Sequence, residues 1–181
     1  FKISFIKNII KYFVIFSVDL LAYVKAMKFP EKFPWDWKLE LLTYNFEKET
    51  VILFKRIIKP GMTVLDIGGH LGYYSKLFSK LVGKNGVVYV FEPSEDSFRL
   101  LQYNTSKYKN IKLIKKAVCD KDGTISFNQT INHSGSNSIL KPEHEFRTVI
   151  VQCKTIDMFV RENNLKVDVI KMDVEGAESS V

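Results

Sequence analysis

Residues 64–75 read VLDIGGHLGYYS. In this stretch an apolar run carries one acid, Asp66, and is followed by the adjacent glycines Gly68 and Gly69 and then by Gly72. The pattern predicts the first strand, loop and helix of a nucleotide-type α/β fold. Dinucleotides, triphosphates and sulfonium compounds all bind to glycine-rich loops, so the residues around the glycines have to decide which ligand is bound.

From residue 47 onward, short and continuously apolar segments alternate with amphipathic segments of about ten residues. This alternation predicts a mostly parallel sheet with helices on both faces, the doubly wound, Rossmann-like α/β architecture. Such a sheet binds ligands at the carboxyl ends of its strands. The predicted strands are Thr63–Ile67, Val87–Phe91, Ile111–Ile114, Thr124–Asn128, Val149–Cys153 and Val167–Met172, and the predicted helices are Glu47–Ile58, Tyr73–Val82, 94–106 and Thr155–Asn164.

The composition sets the broad class of the protein. With 181 residues, 46% of them apolar and 26% charged, the chain is typical of one globular domain. The net charge of +7 lies largely in residues 1–38, which hold seven Lys and three acidic residues. Arg, the usual residue for forked recognition of phosphates and bases, occurs four times, and we expect no nucleic-acid partner. Cys119 and Cys153 form no CxxC pair, which predicts buried free thiols in a reducing cytoplasm and no zinc site.

Residues 1–29 predict an amphipathic helix with a broad apolar face. Their longest uncharged run has seven residues, too short for a membrane span of ~20. We favour packing of the apolar face on the domain or on a partner, and peripheral insertion into a membrane interface is the alternative for a cytoplasmic protein. Residues 29–37, FPEKFPWDW, predict a linker or lid. The predicted organisation is therefore a helix and Pro/Trp linker over 1–38 and an α/β domain over 39–181.

The residues beside the glycines favour a ligand without phosphate. His70 stands where a dinucleotide fingerprint has its second glycine, and no P-loop Lys-Ser/Thr pair follows Gly72. The carboxylate of Asp66 would repel a phosphate but can hold an ammonium group. S-adenosylmethionine fits, because it carries an ammonium, a sulfonium and a ribose diol. Gly68 and Gly69 would let the backbone approach this cofactor, and Glu92, at the end of the next strand, is placed to bind the ribose hydroxyls.

Four motifs occur in order along residues 47–181 of the chain. They are VLDIGGHLGYYSKL at 64–77, VYVFEPSEDSFRLLQYN at 88–104, KAVCDKDG at 116–123 and VDVIKMDVEGAE at 167–178. Together they resemble class I methyltransferases of the FkbM family. The resemblance implies a seven-stranded sheet and S-adenosylmethionine-dependent O-methylation of a hydroxyl on a sugar, glycan or secondary metabolite. The chain departs from the family in having Gly69-His70 where Ala-Asn is more usual, and we expect His70 to contact cofactor or acceptor. We also expect a fragment that ends after the fourth core strand.

Candidates for the chemistry follow the strand ends. A hydroxyl acceptor benefits from a base. Asp173 and Glu175 follow Val167–Met172, the fourth strand of the predicted core sheet, where the acceptor should meet the methyl group. Capping of the next helix is the alternative for both. His133 lies in a polar loop that could cover the acceptor, or is solvated there. Asp120 could accept from the adenine amine, or could belong to an ordinary Asp-Lys-Asp-Gly turn. No residue cluster predicts a metal site.

Two other functions compete with an O-methyltransferase acting on a small molecule or glycan. One is a dehydrogenase of NAD type on a related fold, against which His70 and Asp66 argue. The other is a non-catalytic, membrane-apposed binding module in which the helix predicted within residues 1–29 would be the active feature.

Overall fold

The computed structural model describes residues 2–130 and 146–173, which fall into two units, one ending at Leu53 and the other beginning at Phe54. The helices in these ranges are α1 (Lys2–Val24), α2 (Trp35–Thr43), α3 (Lys48–Ile57), α4 (Tyr73–Val82), α5 (Glu95–Thr105) and α6 (Ile156–Glu162). The strands are β1 (Thr63–Ile67), β2 (Val87–Phe91), β3 (Ile111–Ile114), β4 (Ala117–Val118), β5 (Gly123–Thr130), β6 (Phe146–Lys154) and β7 (Val169–Met172).

The principal sheet of the second unit is parallel, with strand order β3-β2-β1-β7. Val64 and Asp66 point to one face of β1 and Leu65 and Ile67 to the other, and all four are buried. Both faces of the central strand are therefore covered, which is why its sequence is almost continuously apolar. This confirms the predicted α/β class with a mostly parallel, Rossmann-like sheet. The strand order reverses beside β1, and a crevice for ligands is expected at that point.

Aromatic side chains fill much of the space around this sheet. Phe159 of α6 meets the ring of Phe91 edge to face at 4.9 Å between centroids. On α4, Tyr74 and Phe78 pack with Phe54 at centroid distances of 5.5 and 4.7 Å. The interpretation of Tyr74 as a packing residue agrees with this arrangement, because the ring is buried.

A second sheet has the order β4-β6-β5, in which β5 and β6 form an antiparallel pair and β4 runs parallel to β6. The pairing places Ala117 opposite Cys153, and the structure joins Cys119 to Cys153 in a disulfide with 6.1 Å between their Cα atoms. The prediction of two free thiols is therefore wrong. Both cysteines are buried, as expected, but sequence alone did not show that β4 and β6 are neighbours. The disulfide also removes the argument from free thiols for a cytoplasmic location.

The first unit contains a helix that the sequence analysis missed. Trp35–Thr43 is helical, although residues 29–37 were expected to form a linker or lid. Pro34 precedes the helix with φ −59°, Asp36 lies in its first turn, and Tyr44 ends it in the left-handed region. These residues at the two ends favour a helix even though the apolar residues of the stretch show little helical periodicity. No helix in the described ranges is both long and apolar enough to cross a bilayer.

Polar contacts connect α1 and the residue that follows it with α2. Lys38 Nζ forms an ion pair with Asp19 Oδ1 at 2.8 Å, and Lys25 Nζ donates a hydrogen bond to the backbone carbonyl of Leu42. On α1 itself, Val18 and Ala22 are buried. The first unit thus consists of a long helix and a shorter one that are held side by side.

Thr155 provides a test of the boundary before α6. Its Oγ1 accepts a hydrogen bond from the Met158 N–H at 3.1 Å, as predicted for a capping residue. We expect Thr155→Ala to lower the free energy of unfolding by about 1 kcal/mol, because the N–H loses its acceptor. Thr155→Ser, which keeps the hydroxyl, should unfold at nearly the wild-type urea concentration. Equal destabilisation by the two substitutions would contradict the capping role.

Candidate active site

Three carboxylates are positioned by the carboxyl ends of neighbouring parallel strands. Asp66 is the penultimate residue of β1, Glu92 directly follows β2, and Asp173 directly follows β7. Because β2 and β7 pair with opposite edges of β1, the three groups surround the point where the strand order reverses. The acids that the sequence analysis selected one by one thus belong to one edge of one sheet.

Asp66 is fully buried and serves as the centre of this edge. Its Oδ2 accepts a hydrogen bond from Ser75 Oγ at 2.6 Å, and its Oδ1 lies 3.7 Å from Lys171 Nζ. Within the described ranges Oδ1 has no hydrogen-bond partner. Burial raises the pKa of Asp66, and the Lys171 ammonium and the Ser75 hydroxyl oppose that rise. Lys171 and Ser75 therefore compensate in part for the lost hydration of the carboxylate, and Oδ1 can accept a hydrogen bond from one further donor.

Glu92 is also buried and fixes the glycine loop. Its Oε2 accepts from the backbone N–H of His70 at 2.8 Å, and its Oε1 accepts from that of Ser94 at 2.9 Å. Burial raises the pKa of Glu92 to about 7, and the two N–H groups limit the rise. Glu92 therefore does not face solvent. Each carboxylate oxygen keeps a second lone pair, so the group can still accept from hydroxyls.

The glycines of the loop are required by the neighbouring strands. Gly68 has φ +81°, and a Cβ there would lie 2.0 Å from the backbone oxygen of Asp173. A Cβ on Gly69 would lie 2.2 Å from Cγ1 of Val90. Gly72 precedes α4 with φ +84°. The close packing explains the glycines at 68 and 69 without a ligand, and their predicted approach to a cofactor stays a prediction.

His70 continues the loop in the left-handed region, with φ 45°. This conformation is uncommon for residues other than glycine, although His, Asn and Asp adopt it more readily than most. Burial is the main cause that lowers the pKa of His70 to about 4, and the Lys171 charge adds to it. The imidazole is therefore neutral at pH 7, and a predicted contact with cofactor or acceptor would be made by a neutral donor and acceptor.

The sequence analysis missed Lys171 of β7. Its side chain is 9% exposed, and its Nζ lies 3.3 Å from Asp173 Oδ2 and 3.3 Å from the carbonyl oxygen of Gly68. A lysine between apolar residues in a buried parallel strand was the available signal, because such a cation needs partners. Lys171 brings positive charge to the same edge at which the acids converge.

The other predicted residues are distributed as follows. The Asp173 side chain is 55% exposed at the end of β7, where a second substrate could reach it. Asp120 is exposed in the turn after β4. His133 and Glu175 lie outside the described residues. In residues 2–130 and 146–173, no group of three or more His, Cys, Asp or Glu side chains could hold a metal ion.

The charges of the site suit a cationic ligand that carries hydroxyls. Asp66 and Asp173 face the single ammonium of Lys171, and Glu92 adds a further carboxyl group. The buried Oδ1 of Asp66 can accept a hydrogen bond, and an ammonium group would donate one. A phosphate would be repelled at this edge. The residues present therefore fit S-adenosylmethionine better than a dinucleotide.

A parallel sheet that carries Asp66 and the glycine loop at the end of β1 and Glu92 after β2 is the arrangement that the motifs led us to expect of a class I, S-adenosylmethionine-dependent methyltransferase. Residues 66–181 match the methyltransferase FkbM domain, and the chain belongs to that family. This confirms the family and the fold that the motifs indicated.

Several known proteins are similar to parts of the chain. The 2-O-methyltransferase NoeI of Sinorhizobium fredii is 29% identical over 140 residues, which cover 68% of this chain. The chain spans 57% of the length of NoeI. A solved FkbM methyltransferase from Methylobacillus flagellatus is 13% identical, with 90% of this chain and 42% of that chain covered and a TM-score of 0.45. A solved SAM-dependent methyltransferase from Aquifex aeolicus is 34% identical over 38% of this chain and 37% of its own, with a TM-score of 0.34.

The pKa of Glu92 predicts a pH-dependent stability. The folded protein keeps a proton on Glu92 between its ordinary pKa of 4.5 and its raised pKa of about 7, whereas the unfolded chain releases it. The contribution of Glu92 to the free energy of unfolding therefore falls as pH rises through this window, by roughly 3 kcal/mol in all.

We expect Glu92→Gln to lack this decline, so that its stability relative to wild type increases from pH 5 to pH 8 by roughly that amount. Denaturant unfolding at each pH measures this difference. The lowered pKa of His70 makes stability rise with pH, but it does so equally in both proteins, so it cancels in the difference. Glu95→Gln, a change at an exposed acid of α5, is the matched control and should keep the wild-type decline. A constant difference between Glu92→Gln and wild type would show that Glu92 is ionised throughout the window.

Proposed function

We propose that this protein transfers the methyl group of S-adenosylmethionine to a hydroxyl oxygen of a small molecule or glycan. The observation that carries the proposal is the convergence of Asp66, Glu92 and Asp173 at one sheet edge in a chain of the FkbM family. The name of the similar 2-O-methyltransferase NoeI supports oxygen as the atom methylated. A sugar, a glycan or a secondary metabolite is the proposed acceptor.

On the cofactor side, each proposed residue has a chemical task. Asp66 would hold the ammonium group through its buried Oδ1, and Glu92 would accept from the ribose hydroxyls. Asp120, exposed after β4, would accept from the adenine amine. The backbone of Gly68, Gly69, His70 and Gly72 would form the wall of the site. When bound, S-adenosylmethionine supplies an electrophilic methyl group on a positively charged sulfur.

On the acceptor side, Asp173 is the proposed base. Its carboxylate is half-exposed beside the buried site, so an acceptor hydroxyl could donate to it. Removal of that proton makes the oxygen a better nucleophile, because an alcohol is almost fully protonated at pH 7. Glu175 and His133 remain proposed as residues that orient the acceptor.

The dehydrogenase alternative has little support. A dinucleotide would bring two phosphates to an edge that holds three carboxyl groups and one ammonium. Membership of the FkbM family also favours methyl transfer.

Isothermal calorimetry separates these alternatives. We expect the wild-type protein to bind S-adenosylmethionine, and Asp66→Asn and Glu92→Gln each to weaken binding about tenfold or more through loss of a charge-assisted hydrogen bond. Glu95→Gln is the control and should bind as wild type does, because Glu95 pairs with Lys115 and Arg99 on the surface of α5. Binding of NAD without binding of S-adenosylmethionine would refute the proposal.

We further propose that α1 lies on an anionic membrane surface. Between residues 6 and 24 of this helix, nine large apolar side chains are exposed, among them Phe13 at 71%, Phe16 at 66% and Tyr23 at 83%. Ile6, Ile9, Phe13, Phe16 and Leu20 follow one another at helical spacings of three and four residues, so they share one face. The buried Val18 and Ala22 lie on the opposite side of the helix.

Charge favours lipid over a second copy of the chain as the occupant of this face. Residues 1–38 carry seven Lys against three acids, and Lys7 and Lys11 are exposed on α1. The net positive charge of this segment attracts anionic headgroups, while two such segments would repel each other. Exposed Tyr12 and Tyr23 suit the boundary between headgroups and acyl chains.

Vesicle co-sedimentation tests this surface. We expect binding to vesicles that contain phosphatidylserine, weaker binding to pure phosphatidylcholine, and loss of binding on Phe13→Ser/Phe16→Ser substitution. The control Ile150→Ser removes a side chain that is 69% exposed in the second unit and should leave binding unchanged. Equal sedimentation of the Phe13→Ser/Phe16→Ser variant, or a dimer in solution that this variant dissociates, would contradict membrane binding.

A further inference from the structure

Lys171 is a buried cation to which the proposed reaction assigns no task. It lies on β7, in register with Asp66 of β1, and its side chain is 9% exposed. A charged group in such a position is strongly destabilising unless partners compensate for the lost water. Its partners therefore indicate what it does.

The ammonium of Lys171 contacts groups from three parts of the site. It lies 3.7 Å from Asp66 Oδ1 on β1 and 3.3 Å from Asp173 Oδ2 beyond β7, and it donates a hydrogen bond to the Gly68 carbonyl in the loop. The ring of Tyr74 on α4 lies 5.3 Å away, within the range of a cation–π contact. One cation thus joins β1, the glycine loop, α4 and the end of β7.

We propose that Lys171 is a positioning residue that keeps Asp66 ionised and holds the glycine loop and Asp173 in one arrangement around the cofactor. The cofactor part of this inference rests on the proposed methyltransferase function.

Two physical arguments support this role. Asp66 is fully buried, and without a nearby cation a fully buried carboxyl group takes up a proton and loses its attraction for an ammonium group. In addition, one ammonium faces the two carboxylates of Asp66 and Asp173, which leaves a net negative charge beside the cofactor. Lys171 therefore stabilises the acids without cancelling the charge that attracts a cationic ligand.

The separation of 3.7 Å between Lys171 Nζ and Asp66 Oδ1 is consistent with positioning. It is short enough for electrostatic attraction but too long for a hydrogen bond, so Oδ1 keeps its capacity for a donor from the cofactor. A closer contact would occupy the atom that the ligand needs.

A thermal-unfolding cycle tests the coupling without any ligand. We expect Lys171→Met to lower the melting temperature by roughly 10 °C, since it leaves Asp66 buried and unpaired. In the Asp66→Asn background the same change should cost less than half as much, because the charge that needs compensation is gone. Lys112→Met, at an exposed lysine of β3, is the matched control and should have little effect. An equal loss in both backgrounds would overturn the coupling.

Should Lys171→Met fail to fold, the Asp66→Asn/Lys171→Met variant decides the matter. Removal of both charges should restore folding, because neither is then left unpaired. A double variant that also fails to fold would overturn the inference.

Calorimetry with S-adenosylhomocysteine, which cannot react, tests the effect on the site. We expect Lys171→Met to bind about tenfold more weakly than wild type, and Lys171→Arg, which keeps the charge, to recover part of the loss. Unchanged affinity in Lys171→Met would overturn the positioning role. If the wild-type protein binds no S-adenosylhomocysteine, the proposed function fails, and the thermal cycle then decides by itself whether Lys171 is coupled to Asp66.

Discussion

The burial of β1 is the constraint on which the rest of the second unit depends. This strand is paired along both edges and covered on both faces, so its single acid, Asp66, has no water to solvate it. Other protein groups have to compensate for the lost hydration of Asp66, and these are the Ser75 hydroxyl of α4 and the Lys171 ammonium of the neighbouring strand β7. The same pairing fixes where Glu92 and Asp173 emerge. Fold and site thus have one cause, the central position of a strand that carries a charge.

The sequence was most informative where each residue's environment is set locally. Four strands of the parallel sheet were predictable, because each is a short, mostly apolar segment between helices or turns. Thr63–Ile67, Val87–Phe91 and Ile111–Ile114 agree with the prediction at both ends, whereas the strand predicted from Val167 begins at Val169. The capping role of Thr155 was also predictable, since the hydroxyl acts within its own helix turn.

Features that depend on contacts between distant segments were not predictable from one sequence. Lys171 and Asp66 are far apart in the chain, and no residue near either of them indicates that they form a buried ion pair. The Cys119–Cys153 bond depends in the same way on the parallel pairing of β4 with β6. The helix beginning at Trp35 was missed for a different reason, because two prolines and two tryptophans resemble a linker until Pro34 is placed before the first turn. Glu92 was selected for the correct position, but its two backbone N–H donors were not foreseen.

The contact between Gly68 and the backbone of Asp173 limits how this loop can diversify. A side chain at position 68 would meet the backbone of Asp173 and would require a positive φ, so that position is closed to variation whatever ligand is bound. At position 69 a Cβ would meet the Val90 side chain, so the alanine that is more usual there in the family requires a shift of Val90. Changes that alter ligand preference while preserving the fold must therefore arise at neighbouring positions. His70, which already carries a side chain in the left-handed region, is such a position. In this loop the glycines maintain the architecture, and the residue that follows them is open to adaptation by evolution or by design.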